Sequence, residues 1–442
     1  MANTYLTRTV SSTGNRRTFT ISTWFKRSGI TGANQKIFEA VVDGSSYTDL
    51  RLKTTEALQF YTEQAGISKI SLVTNRLFRD PSAFYHVVIA VDTTQGTASD
   101  RVKMYINGVQ ETSFSTATYP DQNYDTYVNY SSATNVIGRR NPYSDFYFDG
   151  LMSHFHLVDG TAYAPTVFGS QDATTGEWEI NTSPSITMGT NGFTILKDGM
   201  TITDQSTNSN NWTLGGGTLT ATKDCPHNNF ATLNPLSGSS SNNTLTNGNT
   251  TVETTSGWRW RPSTIAPSLG KYYVEFKPTS GGNIYTAIGV TPESNWDNID
   301  GDVIGYGESV GYDKDGAVYK GASSQSGSWA SYTTNDIIGV AADLTNRCVY
   351  FSKNGVWQNS GDPTSGASKT GGVALSATLD NWSISTSQAG TTVACNYGNG
   401  FFGTTAITTN SGNGYAGAEG KSKFNYQPPT GYSALSTLGI NQ

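Results

Sequence analysis

Tyr85-His86-Val87-Val88-Ile89-Ala90-Val91, together with Phe19-Thr20-Ile21-Ser22-Thr23-Trp24-Phe25, decides the fold class. In the second stretch Phe19, Ile21 and Phe25 fall on one side of an extended chain, and in the first Val87, Ile89 and Val91 do the same. Period-two alternation predicts strands with one face buried. The signal recurs at Leu50 to Leu52 and Leu58 to Tyr61, and in Val102-Lys103-Met104-Tyr105-Ile106. That last run ends in Asn107-Gly108, a dipeptide suited to the positive φ angles of a type I′ hairpin turn, with Val109-Gln110 as the return strand. Asn135 to Gly138 and Phe146 to Val158 supply further strands. Turn signals about every 8 to 12 residues, with no window of helix formers, predict an all-β sandwich.

The second half repeats the pattern. Lys271 to Lys277, Tyr285 to Val290, Val310 to Gly316, Asp336 to Leu344 and Cys348 to Trp357 read as strands, the last a hairpin with Asn354-Gly355 at its tip. A chain of 442 residues exceeds what one core organises. The expected architecture is two tandem β-sandwich (jelly-roll) domains: 1–222, a linker or connecting strand over 223–256, and 257–442. The linker assignment rests on the Ser, Asn and Thr run from Ser237 onward, which carries almost no core-forming side chains.

Composition narrows function. A net charge of −6 argues against a nucleic-acid partner. No stretch approaches the roughly 18 apolar residues of a membrane span, and the N-terminus lacks the apolar core of a signal peptide. Cys225, Cys348 and Cys395 have neither an even count nor metal-ligand spacing, so free thiols in a reducing cytoplasm are expected. The N-x-S/T matches at Asn129, Asn181 and Asn211 are expected by chance in a chain this rich in Asn, Ser and Thr.

Taken in order, Phe19 to Phe25, Tyr85 to Val91, Val102 to Val109, Val136 to Gly138 and Gly150 to Gly160 resemble concanavalin A-like (laminin G-like) jelly rolls. The block from Asp149 to Gly169, the segment Thr203 to Thr213 and Asp224 to Leu236 look like the version found in tailed-bacteriophage structural proteins. The second-half blocks resemble the SPRY domain, a recognition module. This resemblance implies a virion structural protein, assembled in the host cytoplasm and displayed as a tail- or head-fibre-like component. It would bind host surface polysaccharide and associate with other virion proteins as a homo-oligomer. The alternative is a capsid or tail decoration or connector protein that grips only other virion subunits, and a weaker one is a glycan depolymerase.

Chemistry-bearing constellations are sparse, and no enzyme is expected. Glycoside hydrolysis needs two carboxylates flanking the scissile bond, and the nearest strand pattern, Glu177-Trp178-Glu179, lacks its remaining acids. His154 and His156 share a strand face, but two polar residues on an outer face account for that spacing. Asp121, Asn123 and Asp125 begin like a calcium loop, while Thr126 and Ser132 replace its glycine and distal glutamate. No cofactor is required, and a structural calcium there follows only from the laminin G-like resemblance. Asp297-Asn298-Ile299-Asp300-Gly301-Asp302 is a second acidic cluster of the same kind. Expected glycan- or partner-binding residues are Tyr119, Asp121, Asn123, Tyr124, Asp125, Tyr127 and Tyr143 in the first half. In the second they are Trp296, Trp329 and Tyr332. Aromatic faces beside carboxylates and amides are what a sugar ring requires.

Overall fold

The computed structural model describes residues 3–237, 242–280, 285–296, 307–408 and 414–442. The chain is all-β and divides into two units, Met1–Ala221 and Thr222–Gln442.

In the first unit an eight-stranded antiparallel sheet runs in the order Phe114–Thr118, Ile67–Leu77, Ala57–Gln64, Ser46–Leu52, Gln35–Asp43, Thr134–Ile137, Tyr5–Thr9, Thr213–Gly216. A six-stranded sheet runs Phe193–Ile195, Gly150–Asp159, Thr18–Arg27, Tyr85–Asp92, Val102–Ile106, Val109–Gln110. Phe19, Ile21, Phe25, Val87, Ile89 and Val91 are fully buried with Phe38, Leu50 and Phe60 of the facing sheet, so alternation placed the core face correctly. Asn107 (φ 47°) and Gly108 (φ 80°) close the expected hairpin, both in the left-handed region that a type I′ turn needs.

The outer face of the six-stranded sheet is buried too, where alternation predicts solvent. Val88 and Val158 pack there beneath Phe168, with Tyr163 and Met188 at the margin. Trp178, on the hairpin formed by Gly169–Gln171 and Trp178–Ile180, lies parallel to His86, which in turn stacks on Trp24 at 4.5 Å. The histidines of this face are therefore interior groups. The covering segment comes from far along the chain, so strand periodicity alone does not reveal it.

In the second unit the larger sheet contains, in order, Asn243–Thr246, Thr251–Thr254, Thr392–Asn396, Lys271–Ser280, Ile338–Asp343, Cys348–Lys353 and Val356–Trp357. The facing sheet runs Arg259–Arg261, Trp382–Ala389, Tyr285–Pro292, Val310–Asp313, Ala317–Lys320, Ser323–Ser324. Asn354 (φ 48°) and Gly355 (φ 81°) turn the expected hairpin.

The region 223–256, expected as a connection, is part of this unit. Asn243–Thr246 and Thr251–Thr254 pair with each other, and the latter also pairs with Thr392–Asn396. Phe230, Leu233 and Val252 anchor it in the core. Strands built from Thr and Asn with so few apolar anchors have the composition of a linker, and it is the pairing partner that fixes them as sheet.

Candidate functional site

The expected loop aromatics are mostly structural. Tyr127 is 8% exposed and belongs to the first-unit core, and Tyr119, Tyr124 and Tyr130 pack against that core. The Arg16 guanidinium lies 4.2 Å from the centre of the Tyr130 ring. Of these rings Tyr127 is buried, while Tyr119, Tyr124 and Tyr130 are half-buried. In the second unit Tyr332 is a core residue whose hydroxyl donates to the carbonyls of Thr286 and Tyr312. Trp329 is half-buried beside Tyr312 and Phe351, and Trp296 half-buried against Trp260 and Ala287. Of the expected aromatics Tyr143 alone is exposed, at 50%, with Arg140 against its ring.

Asp121, Asn123 and Asp125 lie on an exposed turn. The Asp125 carboxylate is taken by Arg17, whose Nε and Nη2 approach its two oxygens at 2.8 and 3.3 Å. Among the described residues no group of three or more His, Cys, Asp or Glu is arranged to hold a metal. The acidic cluster 297–302 lies outside the described residues. Chelation with EDTA is expected to move neither thermal transition by more than about 1 °C, because a ligand stabilises only the state that binds it. A calcium-dependent rise in melting temperature would restore the metal site.

The structure instead assembles polar and aromatic groups on the eight-stranded sheet, on the face turned away from the core. Leu50, Leu52, Leu58 and Phe60 point inward, so Tyr47, Asp49 and Arg51 on one strand and Gln59, Tyr61 and Glu63 on the next point outward. Register places Tyr47 opposite Glu63, Asp49 opposite Tyr61 and Arg51 opposite Gln59. The half-buried rings of Tyr47 and Tyr61 lie 5.9 Å apart at 44°, and both hydroxyls donate to Glu63 Oε2, at 3.2 and 2.9 Å. Burial pushes both phenols up, so they remain donors at neutral pH. Arg51 lies 4.7 Å from the Tyr61 ring centre and donates from Nε to Gln59 Oε1 at 2.9 Å. Beside them Lys36, Glu39 and Asp49 form a buried ion-pair cluster.

These residues were readable as i, i+2 alternation within two strands, but their convergence depends on register. Glu177 and Glu179 are exposed on the added hairpin, away from this face. Glu39 and Asp49 do make a cross-strand carboxylate pair. They are 1% and 0% exposed and joined through the Lys36 ammonium, which denies them to a substrate.

Residues 2–168 match the profile of a laminin G-type family described as the concanavalin A-like lectin/glucanases superfamily. No curated protein matches the chain. Solved structures similar to it include the SPRY domain of human HERC1, at 17% identity over 35% of this chain and 91% of that one, with a TM-score of 0.27. Mouse laminin α1 chain domains LG4-5 align at 8% identity over 88% of this chain and 79% of that one, with a TM-score of 0.29. A Ruminococcus gnavus sialidase CBM40 bound to α2,3-sialyllactose aligns at 16% identity over 31% and 72%, with a TM-score of 0.25. Its first 168 residues thus make this chain similar, in sequence, to a superfamily of lectins and glucanases.

Proposed function

We propose that this chain is a non-catalytic binding protein whose first unit recognises carbohydrate through the outward face built by Tyr47, Arg51, Tyr61 and Glu63, with the buried Gln59 positioning Arg51. The observation that carries this reading is the half-buried Tyr47–Tyr61 pair, clamped by one carboxylate and flanked by a guanidinium and an amide. Tilted rings take the apolar CH face of a sugar, while the Arg51 guanidinium and the Glu63 carboxylate fix hydroxyls. The match of residues 2–168 to a lectin and glucanase superfamily supports the same reading. The context we propose is the surface of a bacteriophage virion, where a homo-oligomer bound to other virion proteins presents several copies of a weak site to host polysaccharide. Multivalent display raises avidity without new contacts.

The test is saturable binding of the full chain to a panel of bacterial surface polysaccharides. Tyr61→Ala and Tyr47→Ala are each expected to weaken binding about tenfold, the loss of one stacking contact of about 1.4 kcal/mol. Tyr119→Ala, on the other hand, is expected to leave affinity unchanged in whatever fraction stays folded. Absence of binding across the panel, with retained binding to other virion subunits, would replace this reading with the decoration or connector role. Release of reducing ends would instead make the protein a depolymerase, and release that survives Glu177→Gln and Glu179→Gln would exclude those residues as its catalysts.

A further inference from the structure

Beneath the proposed binding face, Lys36 is fully buried and bracketed by two carboxylates. Its Nζ lies 2.9 Å from Glu39 Oε1 and is hydrogen-bonded to Asp49 Oδ2. Exposure is 0% for Lys36, 1% for Glu39 and 0% for Asp49. Arg51 Nη1 reaches the same Asp49 Oδ2 at 3.2 Å, and the Asn141 N–H donates to Glu39 Oε2 at 2.7 Å. Asp49 Oδ1 is buried with no hydrogen-bond partner among the described residues. An ordinary buried ion pair saturates its oxygens, because an unpaired carboxylate oxygen away from water is costly. Here one oxygen is held twice and the other not at all. That is the asymmetry expected when one oxygen is retained and the other is the leaving group.

We propose that Lys36 and Asp49 condense into an intramolecular isopeptide bond, with Glu39 as the proton carrier. Glu39, hydrogen-bonded to the ammonium, first carries one of its protons to Asp49 Oδ1, the oxygen that becomes the leaving group. The neutral Nζ then attacks Asp49 Cγ, and the Nζ–Cγ bond forms while negative charge gathers on Oδ2, where Arg51 stabilises it. Glu39 accepts a proton from Nζ and delivers it to Oδ1. The Cγ–Oδ1 bond breaks and Oδ1 departs as water with two of the original three ammonium protons, leaving one on the amide nitrogen. No oxidant, cofactor or second substrate enters. Burial and the neighbouring Asp49 carboxylate push the Glu39 carboxyl up, with Lys36 opposing, which suits a group that takes and returns a proton. Fixed juxtaposition supplies the rate, as effective molarities of about 10⁵ M or more do in oriented intramolecular reactions. The product replaces two buried charges by an amide linking strands Gln35–Asp43 and Ser46–Leu52, which are already paired. This goes beyond the binding reading and does not depend on it.

Mass spectrometry of the denatured full chain tests it. The expected mass is about 18 Da, one water, below that of the sequence. Trypsin is expected to yield residues 28–51 as one peptide, uncut after Lys36 and lighter by the same amount. Glu39→Gln and Lys36→Arg are expected to show their full sequence masses. A wild-type chain at full mass overturns the proposal without recourse to any variant. A water loss that maps to an Asp-Gly pair such as Asp149-Gly150, as a succinimide, also overturns it. Complete condensation in Glu39→Gln overturns the assignment of Glu39.

Discussion

Acidification from pH 7 to pH 5 is expected to destabilise the first unit by about 6 kcal/mol, from three histidines at about 1.4 kcal/mol per pK unit each. Burial is the main cause of their low pKa values. It holds His86 and His156 down to about 3 and His154 to about 4, with His154 adding to the effect on both others. Two of them have a role in the neutral state. His86 accepts from Trp178 Nε1 at 2.9 Å and bonds Ser22 Oγ, and His156 bonds Thr194 Oγ1 at 2.8 Å. In the unfolded chain these rings protonate near pH 6.5, while in the folded unit they stay neutral to about pH 4 or lower. The unfolded state therefore binds more protons across that interval. Stability is complete above pH 6.5 and falls as pH drops below it.

Glu39 and Asp149, whose carboxyls burial pushes up, offset part of the loss. Against a typical domain stability of about 5–15 kcal/mol, the remainder is large. In calorimetry the transition of the first unit should fall by about 10 to 25 °C between pH 7 and 5, at about 2–4 °C per kcal/mol. A transition that holds its position would show that these histidines are hydrated and that the hairpin carrying Trp178 does not cover His86.

The second unit is expected to respond in the opposite direction, through Glu275. This residue is fully buried, and its carboxylate accepts from the backbone N–H of Asn425 and of Tyr426, both at 2.8 Å. It also accepts from Asn396 Nδ2 at 3.0 Å and from the Tyr273 hydroxyl at 3.3 Å. Burial raises its pKa and the four donors lower it, leaving it at about 7. The folded unit thus keeps a proton that the unfolded chain loses near pH 4.5. Stability is full below about 4.5 and declines by about 3 kcal/mol as pH rises through 7.

Glu275→Ala removes the acceptor that ties strand Lys271–Ser280 to the closing segment, and leaves two backbone donors buried without partners. The expected cost is about 3 kcal/mol or more, seen as a drop of about 10 °C in the second transition alone. Glu275→Gln is expected to flatten the pH dependence of that transition between 4.5 and 7. An Ala variant of wild-type stability would mean that the segment around Asn425 is not held by this residue.

How far the sequence could be read depended on range. Alternation at Phe19 to Phe25 and the Asn-Gly turns at 107–108 and 354–355 are local, and the structure has them where periodicity put them. The burial of His86 and His156 is not legible within their own strands, because Phe168 lies against both and Trp178 against His86. Tyr124 and Tyr127 looked like exposed loop aromatics since nothing in an irregular segment distinguishes a ring facing a sandwich end from one facing solvent. Tyr47 and Tyr61 carried a usable signal, two outward positions on strands with inward leucines. Only the pairing of Tyr47 with Glu63 and of Asp49 with Tyr61 turns that signal into a site. Within the segment expected as a linker or connecting strand, Thr251–Thr254 is a strand by virtue of Thr392–Asn396, a partner about 140 residues away.

Hydroxyl-radical footprinting of the tyrosines, with and without a captured polysaccharide, tests the central claim most directly. Recognition by the outward face of the eight-stranded sheet predicts that oxidation of Tyr47 and Tyr61 falls on binding, with Tyr119, Tyr124 and Tyr285 unchanged. Protection at those other tyrosines, with Tyr47 and Tyr61 as reactive as in the free protein, would contradict it.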